Sequence, residues 1–303
     1  MPTQPGFRYR RSAVTEARHG QERVVSLRRR PRRKVIGTLV VIVLLVPAAL
    51  LAVRSLWGTM TGTIADPETV VEAQHAPEPA VDPDDPFSAT PAESFSDAAD
   101  AVRLPIATKV GTWAAKDVQT ALTGTKTIVL KARTDQTVLG GNPSSYLKAL
   151  SVSAQSAAKK SIAGDTLGYV TQLAPGYTLA APVRAAGALT VKGGTLNQLI
   201  ITANVVWVYP LAGPLPKASS GAGVRLVVLH TVETYEWFPS KRFTDDDQGA
   251  RPGAGTRAVF NADCPKYAKG TLGLPTKAVR DPAAGAEAVF ALSTKPDAFP
   301  TGC

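Results

Sequence analysis

Histidine, cysteine and methionine are nearly missing: the 303 residues contain three, two and two of them. Beyond residue 100 the only histidine is His230, which excludes a metal site built from several imidazoles, and two cysteines cannot form a four-sulfur zinc centre. The chain also lacks GxxxxGK[ST], a full G-x-G-x-x-G and a G-x-S-x-G nucleophile elbow. Those gaps remove the common phosphate-loop, dinucleotide and serine-hydrolase signatures, and no cofactor is expected. Lysine and arginine are absent from residues 58–100, where ten Asp and Glu stand unopposed.

What is abundant is apolar, and it is concentrated. Residues 35–53 read VIGTLVVIVLLVPAALLAV, with Thr38 the only polar side chain. A helix of that length covers about 28 Å, close to the hydrocarbon thickness of a bilayer. Lipid offers no partners for backbone N–H and C=O groups, so such a run crosses only as a helix. Residues 35–57 are therefore expected to be a transmembrane helix, with Trp57 as an interfacial anchor. Arg28, Arg29, Arg30, Arg32, Arg33 and Lys34 sit directly before it, and Arg54 alone follows closely. The positive-inside rule puts residues 1–34, a basic disordered tail, in the cytoplasm and the bulk of the chain outside the cell membrane. A cleaved signal peptide is the competing reading. The long basic leader, the length of the apolar run and the lack of an A-x-A site weigh against it. The arginines are expected to face anionic lipid headgroups, and no DNA-binding motif accompanies them, so no nucleic acid is expected as a partner.

The charge falls in blocks. Eleven basic residues against two glutamates occupy residues 1–34, and 22 basic against 12 acidic residues occupy 101–303. Between them, residues 58–100 are acidic and proline-rich, the composition of a disordered, extended stalk. The folded part is expected over 101–262. Apolar or small residues at Ala115, Val118, Leu122, Thr125, Val129 and Ala132 recur at steps of three and four, which predicts a helix over 113–132. Shorter helices are expected over 144–150 and 153–162. Residues 185–192 and 195–209, joined by a two-residue Gly193–Gly194 turn, read as a hairpin, and residues 224–238 as another long strand. Phe243 to Thr256 reads as a loop, with a last short strand over 258–261. The sum is an α+β fold: helices packed on a curved antiparallel sheet. The proline-rich extension, 263–303, is expected to wrap irregularly over the surface. An even cysteine count beyond the membrane predicts a disulfide between Cys264 and Cys303.

The order helices, glycine-turned hairpin and long strands carrying VVWVYP and ETYEWF resembles the nuclear-transport-factor-2-like (cystatin-like cone) class, in particular membrane-anchored versions from high-GC Gram-positive bacteria. The resemblance implies a cone that in some members binds a small molecule or holds an acid–base dyad, and in many serves assembly only. Trp207, Tyr209, His230, Tyr235 and Trp237 are the candidate pocket or partner residues. The default reading of the aromatics is core packing. His230 shares a strand face with Leu226, Val228 and Val232, and Glu236 on that face is too distant to pair with it directly. Asp245, Asp246 and Asp247 do not match a calcium loop. Three functions follow in order: a single-pass membrane protein displaying a non-enzymatic domain to an envelope protein; a binding domain for a lipid or cell-wall small molecule in the cone; and an enzyme using His230.

Overall fold

The computed structural model describes residue 82 and residues 84–239, 244–282 and 286–298. Among them no helix is long and apolar enough to cross a membrane. The expected span and its basic collar lie outside the described residues.

The sheet is built from seven strands: β1 (Ser96–Asp97), β2 (Val102–Arg103), β3 (Thr178–Leu179), β4 (Arg184–Gly193), β5 (Leu199–Ala212), β6 (Leu226–Trp237) and β7 (Ala250–Phe260). The order is β1-β4-β5-β6-β7, with β2 beside β4 and β3 beside β5. The four long strands run antiparallel, β4 and β5 joined by a short hairpin loop and the later pairs by longer connections. Strand alternation sends Leu199, Ile201, Ala203, Val205, Trp207 and Tyr209 to one face of the sheet. The longest helices on that face are α1 (Ala115–Thr134), α2 (Ser144–Ala149) and α3 (Val152–Gly164), with shorter helical turns between and beside them. In α1 the periodic positions Val118, Leu122, Thr125, Val129 and Ala132 are buried, joined by Ala121, Ile128 and Arg133. Asp117 in its first turn and Lys131 and Arg133 in its last complement the helix dipole. Asp135 then ends it, its carboxylate accepting from Thr137 N–H and Val138 N–H of the next turn.

The fold class is α+β with an open antiparallel sheet, and four local expectations need correction. The hairpin turn is not two residues long. Gly193 pairs with Leu199, Gly194 N–H donates to the Gln198 carbonyl at 2.7 Å and Asn197 N–H to the Gly194 carbonyl at 3.1 Å. Asn197, at φ +63°, takes the left-handed position that such a three-residue loop needs. Second, Phe243 to Thr256 is not all loop. Residues 250–260 form β7 along the free side of β6, with a register shift between Glu233 and Tyr235. An edge strand tolerates Pro252, and Gly253 leaves room for Thr234, whose Oγ1 would lie 2.6 Å from an added Cβ.

The other two corrections concern the ends. The acidic stretch expected to be disordered through residue 100 is folded from residue 84 onward. Phe87, Ala92 and Ala98 are buried, the Arg184 guanidinium lies 4.1 Å from the Phe87 ring centroid, and it donates to the Ala92 and Glu93 carbonyls. The C-terminal extension is irregular over most of its described length, as expected, but it is packed against the sheet and does not merely lie on the surface. After α4 (Cys264–Ala268), Ala286, Val289 and Phe290 pack with Phe87 and Ala92 on Val206, Val208, Leu226, Val228 and Ala258, the sheet face opposite the helices. Phe95 and Phe290 meet edge to face at 6.2 Å. Composition concealed this because few apolar residues are involved, although burying each large one contributes roughly 1.5–3 kcal/mol.

Candidate functional site

The space between α1 and the sheet, where a cone pocket would lie, is filled. Arg133 has no exposed side-chain surface. Its Nε and Nη2 donate to Glu233 Oε1 at 3.0 and 2.6 Å, and Nη1 to the Leu167 carbonyl and Thr171 Oγ1, both at 3.2 Å. Glu233 Oε2 accepts from Tyr235 OH at 2.8 Å, and Tyr209 OH donates to the Arg133 carbonyl at 3.1 Å. Burial works against the Arg133 charge, but the Glu233 carboxylate together with the Tyr209 and Tyr235 phenols outweighs it and holds the guanidinium above its ordinary range. Burial also raises the Tyr146, Tyr209 and Tyr235 phenols, and the negative charge of Glu233 adds to it. Arg133, Glu233, Thr171, Tyr209 and Tyr235 thus form one buried, hydrogen-bonded set.

Of the five candidates drawn from the strands, Trp207, Tyr209 and Tyr235 belong to this core, and Trp207 Nε1 donates to Thr231 Oγ1 at 3.1 Å. His230 is on the other side of the sheet. Its Nε2 lies 2.6 Å from Asn204 Oδ1, and Asn204 Nδ2 donates to the Leu292 carbonyl. Burial lowers the His230 pKa to about 4, so the ring is neutral at pH 7. The Asn204 amide thus links the His230 ring to the C-terminal segment that lies over this face of the sheet. Asp245, Asp246 and Asp247 form one exposed turn, with Asp247 paired to Arg251. Among the described residues no group of three or more His, Cys, Asp or Glu could hold a metal.

Trp237 alone reaches an open site, a groove of about 630 Å³. Its walls are the segment leading into α1 (Thr112, Trp113, Ala114), the start of α1 (Asp117, Thr120), Asn197 of the hairpin loop, and Phe238, Gln248 and Gly249 after β6. Both indoles are anchored from inside: Trp237 Nε1 donates to Thr125 Oγ1 at 2.9 Å and Trp113 Nε1 to the Asn197 carbonyl at 2.8 Å. Gly124 allows the first contact, since a Cβ there would lie 2.6 Å from Trp237 Cη2. A second cavity of about 550 Å³ is lined by Phe260, Asn261, Pro265, Pro275 and Val279 beside Cys264. Cys264 is disulfide-bonded, and the one other cysteine of the chain, Cys303, lies outside the described residues.

Sequence reasoning missed Arg133, Glu233, Trp113 and Asn197. The first two carried a signal: Arg133 follows Val129 by four, putting a charge on the apolar face of α1, and Glu233 alternates with Leu229, Thr231 and Tyr235. Comparison with protein-family models, curated proteins and solved structures finds no match for this chain.

Proposed function

We propose that the chain is a non-enzymatic binding module, tethered by a membrane span over 35–53 with its basic tail on anionic lipid in the cytoplasm and its α+β domain in the cell envelope, where it engages a protein partner. The observation that carries this reading is the filled interior: Arg133, Glu233, Tyr209 and Tyr235 occupy the volume an enclosed ligand or an acid–base dyad would need. Recognition then falls to the outer surface, where Ile106 and Leu196 are 90% and 64% exposed. The sequence's resemblance to the nuclear-transport-factor-2-like class, in which many members serve assembly only, agrees with this role.

The test is photo-crosslinking in cells from residues 106 and 196, with residue 159 on the helical side as comparison. The expected result is a membrane-fraction adduct from 106 or 196 and none from 159. A freely soluble chain, or no adduct from either position, overturns the proposal.

A further inference from the structure

The groove between α1 and the end of β6 has a composition that none of the functions above uses. We infer that it is a saccharide site, taking a short, uncharged oligosaccharide across Trp113 and Trp237. A sugar ring has an apolar C–H face and a rim of hydroxyls, and the lining has a counterpart for each. The two indoles and Phe238 supply carbon surface, while Thr112, Thr120, Asn197, Gln248 and Asp117 supply hydroxyl, amide and carboxylate groups. Because both indole N–H groups are already bonded within the protein, the rings are held in place and present no unmet donor to the groove. Rings fixed before binding lose little freedom when a ligand stacks on them.

The alternatives fit less well. Among the described lining residues Asp117 is the only charged one, and none of them is a cation that could neutralise a phosphate, a nucleic acid or an anionic headgroup. An extended peptide binding by strand addition needs a free edge. Here Trp237 already pairs with Leu199 on one side and Ala250 on the other. The volume of about 630 Å³ falls inside the ~300–1,000 Å³ of small-ligand sites, enough for more than a single sugar.

The experiment is a titration of intrinsic tryptophan fluorescence in the full chain, kept in a detergent without a sugar headgroup, with maltotriose, cellotriose and N-acetylchitotriose as probes. At least one should give a saturable change. Asp117→Ala and Thr120→Arg, both at exposed positions, should weaken that binding tenfold or more while leaving the melting temperature within a few degrees. Absence of a saturable change with all three sugars overturns the assignment, as does equal binding by both variants. A chain that binds none of the sugars yet crosslinks from residue 106 or 196 loses this site and keeps its protein partner; the reverse result separates the two readings in the other direction.

Discussion

At Glu233 a single carboxylate neutralises a guanidinium that has no solvent-exposed surface. Removing one member of such a pair leaves the other charged and unsolvated, which costs about 3–5 kcal/mol, whereas replacing both with apolar groups is often near neutral. Glu233→Leu should therefore lower the urea-unfolding free energy by about that amount, and Arg133→Met with Glu233→Leu should recover most of it. If the single variant were as stable as the parent, the pair would not carry the core. His230 makes a second prediction at this scale. Its folded pKa, about 4, lies below the ordinary value of 6.5, so the unfolded chain takes up the proton first. The stability it contributes is complete above pH 6.5 and is lost as the pH falls toward 4. His230→Gln should flatten the pH dependence of thermal stability across that window, measured as the difference from the parent at each pH.

Among the elements, the joint between α1 and β6 depends on one missing methyl. Gly124→Ala would normally favour a helix by about 0.5–1 kcal/mol, but here the Cβ would lie 2.6 Å from Trp237 Cη2, with the ring held by Thr125. Overpacking of this kind costs about 1–3 kcal/mol, so the variant should melt lower and its tryptophan emission should shift to the red. An unchanged spectrum would mean that the ring is free to move aside. This joint also marks how far the sequence could be read. The repeat from Val118 to Ala132 and the alternation from Leu199 to Tyr209 each follow from one element burying one face, and both were legible without a structure. The pairing of Trp237 with Gly124, or of Arg133 with Glu233 100 residues away, depends on how two elements meet, which no local period encodes. Strand β7 escaped for a different reason. Its Pro252, Gly253 and Gly255 oppose a strand in isolation, and only the waiting edge of β6 makes one of them.

Across the molecule, the two sequence ends of the folded part cover the same side of the sheet. Phe87, Ala92 and Phe95 come from before the first helix, and Val289 and Phe290 from near the C-terminus. Phe290→Ala removes the ring that Phe95 meets and should cost about 3 kcal/mol, with increased binding of a dye that reports exposed apolar surface. Retention of full stability would show that the C-terminal segment only rests on the sheet. Composition concealed this arrangement because the acid and proline content of residues 84–100 describes a chain in water, not one whose few aromatics find a bare sheet.

That shared cover has a consequence for when the protein can finish folding. While the nascent chain is still short of Ala286, the strands it has already made expose Val206, Val228 and Ala258, and the leading Phe87 has no Phe290 segment packed beside it. The stretch from Ala286 to Phe290 completes the cover that Phe87 and Ala92 began, so this face cannot finish packing until that stretch has emerged.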